Sequence, residues 1–203
     1  MVQVFQANQL TLHEVKETFG LRQERSPAFF SEWQVKPGEL AEPDRFLLDR
    51  AQRDFSYLSE YPVQEALVKM VVLSPLLSVA GFYQQPFRPV AEKTIEIEVE
   101  ADDDMIRGRI DILVLNDKLW VTVIESKGSQ FSWNLALPQA LIYMMSDTQS
   151  AQKRYGLVTN GSDLIFVKLQ KDTAQYGLSK VFSIFNPGND LYEVVGVLKA
   201  LSL

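Results

Sequence analysis

The chain of 203 residues contains no cysteine and one histidine. Without cysteine it can form no disulfide, and metal sites built from thiolates are excluded. No apolar run approaches the roughly 20 residues that a membrane-spanning helix needs. Residues 1–6 also lack the basic start and apolar core of a secretory signal peptide. These absences predict a cytoplasmic protein with no membrane segment.

Positive charge is also scarce, because 26 acidic residues outnumber 20 lysines and arginines and leave a net charge of −6. Affinity for a nucleic-acid backbone comes largely from basic side chains that displace condensed counterions. Any electrostatic binding of nucleic acid should therefore be weak. At 46% hydrophobic, the chain can bury one sizeable core. We expect a single globular unit in which residues 1–60 form a helical arm packed on a core of residues 61–203.

Two β-patterned runs in the middle of the chain carry the most informative residues. Residues 110–115 and 119–124 are rich in Ile, Leu and Val, and a turn-prone Asn-Asp pair lies between them. Strand-forming runs joined by such a short connection pair as antiparallel neighbours. Because both runs are almost wholly apolar, we expect them to be covered on both faces of the sheet.

Charged residues lie late in the first run and directly after the second. Asp111 belongs to the first run, and Glu125 and Lys127 follow the second. Side chains alternate along a strand, so Glu125 and Lys127 point the same way. Pairing the two runs should set Asp111 near the level of Val121, with sheet twist bringing it closer to Glu125. Two acids and an amine in an apolar setting suit a divalent metal site, but they equally suit a buried ion pair without chemistry.

Helical patterns flank these strands. Residues 138–145 read as a helix in which Gln139 and Tyr143 share a face. Upstream, residues 61–73 form a mostly apolar helical pattern, with Glu65 one turn before Lys69 and with Pro75 and Gly81 closing the segment. Glu65 is therefore expected to reach the same site as the strand residues.

Taken in order, these residues carry a family resemblance. The motifs are Gly108-Arg109-Ile110-Asp111, Ile124-Glu125-Ser126-Lys127, Gln139 with Tyr143, and Val158-Thr159-Asn160-Gly161. They resemble the nuclease domain of type I restriction enzyme motor subunits, a branch of the PD-(D/E)XK nucleases. The resemblance covers roughly residues 65–169, and the ordered set is more specific than any one member. Ile110 stands where the literal motif has proline.

The resemblance implies a restriction-endonuclease-like fold, an α/β mixed sheet flanked by helices, preceded here by the helical arm. It implies metal ligands at Asp111 and Glu125, a supporting acidic ligand at Glu65, and a catalytic lysine at Lys127. Gln139 and Tyr143 would lie near the DNA backbone. The implied activity is hydrolysis of DNA phosphodiester bonds with Mg²⁺ or Mn²⁺, by an endodeoxyribonuclease.

The chain departs from a motor subunit because it has no phosphate-cradling Gly-x-x-x-x-Gly-Lys-Ser/Thr loop. The expectation is a stand-alone nuclease-type domain with DNA as its partner. The alternative is a catalytically inactive nucleic-acid-binding or assembly module that kept the fold. No residue in the sequence is identified as recognising a 2′-hydroxyl, so RNA also stays open as a substrate. A homodimer or a partner subunit stays open as well.

Two arginines precede Asp111 at alternating positions. Arg107 and Arg109 share the strand face of Asp111. Two interpretations stay open, because they would either clamp a substrate phosphate or offset the neighbouring carboxylates. Glu96, Glu98 and Glu100 alternate with apolar residues, a pattern typical of a solvated strand face.

The rest of the chain gives ordinary structural signals. Thr11 and Glu14 form a capping box that opens a helix through Phe19, with Gly20 as its stop. Further helices are predicted at residues 43–58 and 191–201, and strands at 155–159, 164–169 and 181–185. The order of helix, three strands, helix and further strands predicts a mixed sheet with helices on its faces.

Overall fold

A computed structural model describes residues 4–34, 38–99, 104–114, 119–123, 136–145 and 153–201. In β3, β4 and β5, defined below, it describes the backbone and, of the side chains, only those of Val90 and Ile106. The N-terminal elements are β1 (Val4–Gln6), α1 (Leu12–Phe19), β2 (Arg22–Gln23) and α2 (Glu42–Leu58). A helical segment follows, made of α3 (Glu65–Val68), a π-helical stretch (Lys69–Leu73) and α4 (Ser74–Val79).

The remaining elements alternate between strands and helices. They are β3 (Val90–Val99), β4 (Asp104–Val114), β5 (Leu119–Val123), α5 (Leu137–Met145), β6 (Lys153–Thr159), β7 (Asp163–Gln170), β8 (Gln175–Ser183) and α6 (Leu191–Leu201). No helix within the described ranges is long and apolar enough to cross a bilayer.

The described strands form one mixed sheet. Its order is β1-β4-β5-β6-β7-β8-β2, with β3 paired to β4. Successive strands pair antiparallel from β3 to β5 and from β6 to β8, whereas β5 and β6 are parallel. Parallel neighbours need a crossover connection, and α5 lies between them in the chain. The α/β class, with a mixed sheet and helices, is confirmed.

Helices cover both faces of the sheet. On one face, which we call the α2–α6 face, Leu157 and Phe166 pack with side chains from α2, α4 and α6. On the other, the α1–α5 face, Val158 and Ile165 pack with side chains from α1 and α5. Neighbouring residues of β6 and β7 thus point into different cores, which explains why both strands read as continuous apolar runs.

Several sequence predictions hold to the residue. The capping box of Thr11 and Glu14 is present, α1 ends at Phe19, and Gly20 adopts the left-handed conformation. α6 spans the predicted residues 191–201. In contrast, β8 begins at Gln175, six residues before the strand predicted at 181–185. β8 pairs with β7 along the whole length of β7. This pairing outweighs the weak strand propensity of the first residues of β8.

The helical segment around Glu65 departs from prediction at both ends. It begins at Glu65 rather than at residue 61, and it continues past Pro75 to Val79. Pro75 lies in the first turn of α4, directly after the π-helical stretch. A proline is tolerated in a first turn because its missing N–H has little to bond there. The prediction that Pro75 closes the segment is therefore wrong, whereas Gly81, with φ +87°, lies directly after the C-cap residue Ala80 as predicted.

Part of the predicted arm is tied to the sheet through one buried lysine. The Lys168 ammonium donates to the Glu32 carboxylate at 2.6 Å and to the Phe29 carbonyl at 2.7 Å. The Tyr155 hydroxyl donates to the same carboxylate at 2.9 Å. Burial raises the pKa of Tyr155, which keeps that hydroxyl protonated as a donor. The division of the chain at residue 60 stays a prediction.

This contact predicts a pH dependence of stability. Burial raises the pKa of Glu32, but hydrogen bonds from Lys168 and Tyr155 outweigh it and leave the pKa below the ordinary value of 4.5. A depressed folded-state pKa stabilises the fold above the unfolded-state value, and this stabilisation is lost as pH falls through the folded value. Urea titrations between about pH 7 and about pH 3 should therefore show a flatter stability profile for Glu32→Gln than for the wild type. The exposed control Glu39→Gln should follow the wild type, and a Glu32→Gln profile parallel to it would refute the assignment.

Candidate functional site

The carboxyl ends of β5 and β6 lie side by side. The two strands are parallel, and Val123, the last residue of β5, pairs with Thr159, the last residue of β6. In α/β sheets, ligands commonly bind beyond the carboxyl ends of parallel strands. Glu125 follows β5 by two residues, and Glu125 and Lys127 lie outside the described residues.

A tight turn closes β6 at this edge. The Asn160 side-chain oxygen accepts from the Asp163 backbone N–H at 2.7 Å and from the Ser162 hydroxyl at 3.0 Å. The Gly161 backbone N–H donates to the Thr159 hydroxyl at 2.9 Å. Gly161 has φ +97°, a conformation that favours glycine. The Val-Thr-Asn-Gly motif is therefore the sequence of a self-bonded turn.

Two helices pack directly on this turn. A Cβ on Gly161 would lie 2.5 Å from the Cε2 atom of Phe55 in α2 and 3.0 Å from the Cγ2 atom of Val68 in α3. Only glycine allows such a close approach. Because Val68 is one helical turn from Glu65, the start of α3 is held at the carboxyl ends of β5 and β6.

Glu65 makes an ion pair one turn along its own helix. Its carboxylate contacts the Lys69 ammonium, and the side chain of Glu65 is 37% exposed. Pairs with this spacing on a helix contribute about 0.3–0.5 kcal/mol to its stability. The spacing of these two residues predicted this contact. It leaves Glu65 accessible at the sheet edge.

The helix α5 directs its first turn to the same edge. The Arg154 guanidinium donates to the Met144 carbonyl at 2.5 Å, which joins the end of α5 to the start of β6. Since α5 therefore runs antiparallel to β6, its first turn, which carries Gln139, lies towards the carboxyl end of the strand.

Gln139 and Tyr143 share a face of α5, as predicted. The Gln139 amide donates to the Tyr143 hydroxyl. Tyr143 is only 1% exposed, whereas Gln139 keeps part of its surface accessible. Of the two side chains, Gln139 is therefore the accessible one, and the buried Tyr143 accepts the hydrogen bond from its amide.

The backbone of Asp111 lies in β4, one residue from its predicted level. Ile112, not Asp111, is opposite Val121. The same register sets Asp111 opposite Thr122, one residue from Val121, near whose level it was predicted. Asp111 is consequently nearer to the carboxyl end of β5 than expected.

This register has a consequence for the meeting of Asp111 with Glu125. Side chains alternate along strands, so an uninterrupted continuation of the register would put positions 111 and 125 on opposite faces. A one-residue β-bulge would restore a common face, and bulges occur frequently beside active sites.

The structure brings together the start of α3, the first turn of α5 and the end of β5. It does not describe the meeting of the two acids.

The two arginine positions have different neighbours across the β3–β4 ladder. Position 107 is opposite Glu96, and position 109 is opposite Thr94. Opposite charges at directly paired positions stabilise a sheet, so the register favours charge pairing for Arg107. Arg109 faces no acidic position in this ladder and keeps both of its predicted roles.

Among the residues that the structure describes, no three His, Cys, Asp or Glu side chains form a group able to hold a metal ion. Of the three predicted metal ligands, only Glu65 has a described side chain. Neither the models of protein families nor the curated proteins contain a match to this chain.

Proposed function

We propose that this chain is a metal-dependent nuclease with a restriction-endonuclease-like core, which hydrolyses phosphodiester bonds of DNA. One observation carries the proposal. The start of α3 with Glu65, the first turn of α5 with Gln139 and the carboxyl end of β5 share one edge of the sheet. Glu125 and Lys127 follow β5 directly in sequence. Glu65, Gln139 and the end of β5 come from three separate parts of the chain, so their common edge is not a consequence of sequence proximity.

The topology supports the same proposal. A helix precedes three antiparallel strands, and a second helix then leads to a strand parallel to the third. This is the order that predicted a mixed sheet with helices on its faces, and the motif resemblance implies a restriction-endonuclease-like fold for it. Function is a property of the site rather than of the fold, so the topology is supporting evidence only.

The residues that we assign to this edge suit a hard divalent cation. Asp111, Glu125 and Glu65 offer carboxylate oxygens, the donors that Mg²⁺ and Mn²⁺ prefer. A bound cation of this kind supplies positive charge that polarises a phosphate and lowers the pKa of a coordinated water. No thiolate or imidazole is expected in the set, since the chain has no cysteine and its one histidine is His13 in α1.

The remaining residues would position the substrate and the attacking water, and would stabilise the charge that develops in the transition state. The Lys127 ammonium would orient the attacking water and stabilise the negative charge that develops on the phosphoryl oxygens. Gln139, held by Tyr143, would donate a hydrogen bond to the nucleic-acid backbone, and Arg109 would contact a neighbouring phosphate. Such positioning lowers a reaction barrier because the reactants are already aligned.

Incubation of the purified chain with plasmid DNA, single-stranded DNA and RNA, each with Mg²⁺ or Mn²⁺ and with EDTA, tests this proposal. Metal-dependent cleavage of DNA is the expected result. Cleavage of RNA alone would change the substrate, and absence of cleavage on all three would contradict the nuclease assignment.

Glu65 provides a more specific prediction. Glu65→Gln keeps the size of the side chain but removes its charge, and it should lower metal affinity or cleavage rate by about 10–100-fold. Glu60→Gln, which changes an exposed acid five residues earlier, should leave both unchanged. Lys69→Met removes the ion-pair partner and should cost only a few tenths of a kcal/mol in unfolding free energy. Equal cleavage by Glu65→Gln and wild type would reduce Glu65 to a helix-stabilising residue.

An inactive module that kept the fold is the second candidate. The β4–β5 register favours it, because unbroken pairing would separate positions 111 and 125. The ion pair of Glu65 with Lys69 is compatible with it too. Such a module would bind no divalent cation at this edge, which distinguishes it from the nuclease.

A further inference from the structure

The solvent face of α2 carries a stripe of aromatic and arginine side chains. Phe46, Arg50, Arg53 and Tyr57 follow at intervals of four, three and four residues, which aligns them on one helical face. Tyr61 extends the stripe beyond the helix. The aromatic residues are 59–64% exposed, and the side chains of Arg50 and Arg53 are 62% and 68% exposed. We call these five residues the α2 stripe.

The α2 stripe is not part of the protein core. Phe55, which faces the sheet, lies on the opposite side of the same helix. Single exposed aromatic residues are ordinary, but three on one face with two guanidinium groups between them form a patch with a defined chemistry. The Tyr57 and Tyr61 rings meet edge to face, with centroids 6.1 Å apart.

The charge on the α2 stripe is positive in an otherwise acidic chain. Asp54 contacts both guanidinium groups, at 3.3 Å from Arg50 and 3.7 Å from Arg53. Asp54 is the acid in direct contact with these two arginines, and the charge of Asp49 also acts on Arg53. Exposed ion pairs of this kind contribute little, so a phosphate can replace Asp54 as a partner at small cost.

We propose that the α2 stripe binds an unpaired, single-stranded stretch of nucleic acid. Aromatic side chains stack on exposed bases without regard to sequence, while arginines follow the phosphates. From Phe46 to Tyr57 the helix rises by about 16 Å, which accommodates a few nucleotides. Bases stack on Phe46, Tyr57 and Tyr61, and the two arginines bind the backbone between them.

The position of the α2 stripe selects this ligand over a protein partner. Aromatic and arginine side chains also mark protein interfaces. Tyr61, however, ends the α2 stripe four residues before Glu65, so a bound strand is led towards the sheet edge described above. The identity of the ligand thus rests on the proposed function. In the proposed nuclease, the α2 stripe would hold an unpaired strand of the substrate.

Binding of a fluorescein-labelled oligothymidylate, followed by fluorescence anisotropy in EDTA, tests the inference without any cleavage. Tyr57→Ala should raise the Kd about tenfold, in line with the loss of one stacked base. The double variant Arg50→Gln with Arg53→Gln should reduce the slope of log K against log salt by about 1.4, because two phosphate contacts are lost. The matched controls Tyr83→Ala and Arg88→Gln change exposed residues outside the α2 stripe and should bind like the wild type.

The outcomes separate this inference from the nuclease proposal. Oligonucleotide binding that depends on Tyr57, without any metal-dependent cleavage, would support the α2 stripe and contradict the nuclease. Cleavage of DNA by a chain whose oligonucleotide affinity is unchanged in Tyr57→Ala would overturn the inference and leave the nuclease proposal intact. Self-association that is lost in Tyr57→Ala, with no oligonucleotide binding, would identify a protein interface and also overturn it.

Discussion

Alanine at Asp111 or at Lys127 should lower metal-dependent cleavage of DNA by about 10³-fold or more. Asp111→Ala removes a carboxylate that we propose holds the cation. Lys127→Ala instead removes the ammonium that we propose stabilises charge in the transition state. The first variant should therefore also lose affinity for Mn²⁺, whereas the second should keep most of it. Cleavage rates at saturating metal and metal titrations of both variants measure these two effects separately.

Two further substitutions serve as matched controls for this pair. Asp117→Ala and Lys118→Ala change the same residue types between β4 and β5 in the chain, and both should cleave like the wild type. If Asp111→Ala, Lys127→Ala and the controls all cleave equally well, these residues have no part in catalysis. Parallel loss in all four variants would point instead to a folding defect, which a thermal melt detects.

Gly161→Ala should destabilise the fold by about 2–5 kcal/mol. An L side chain is strained at φ +97°, and its Cβ would overlap the Phe55 ring and press on Val68. Left-handed backbone costs about 1–2 kcal/mol, and overpacking a filled core costs a further 1–3 kcal/mol. For a chain of this length each kcal/mol lowers the Tm by roughly 2–4 °C. A drop of about 4–20 °C in a thermal melt is therefore expected.

Gly188 separates the two contributions to this effect. It also has a positive φ, +90°, but a Cβ there would meet no atom within 4 Å. Gly188→Ala should therefore cost only about 1–2 kcal/mol, the backbone part. If Gly161→Ala costs no more than Gly188→Ala, the close packing of α2 and α3 on the turn is not what the structure indicates. The packing contact that places Glu65 at the sheet edge would then be contradicted.

Local signals predicted much of the fold. The capping box of Thr11 and Glu14 predicted the start of α1 and Gly20 predicted its end, because these residues satisfy the backbone groups at each terminus. Apolar runs predicted β6 and β7, since both faces of these strands are covered. The extent of β8 was not readable, because its first residues gain their strand conformation from pairing with β7 and β2.

The candidate site was predictable in its parts rather than in its arrangement. The spacing of Glu65 and Lys69, and of Gln139 and Tyr143, predicted contacts that the structure contains. The approach of α3 to the end of β6 depends on a glycine contact across almost a hundred residues, and no local pattern encodes it. The α2 stripe had a readable signal in the intervals from Phe46 to Tyr57, which the sequence interpretation overlooked.

Binding of Mn²⁺ to the intact chain, measured by calorimetry and by electron paramagnetic resonance, tests most directly whether Asp111 and Glu125 share a cation. One saturable site, lost in both Asp111→Asn and Glu125→Gln and kept in Asp117→Asn, is the result expected if the two strands converge. A wild-type chain that binds no Mn²⁺, or whose binding survives both substitutions, would contradict it.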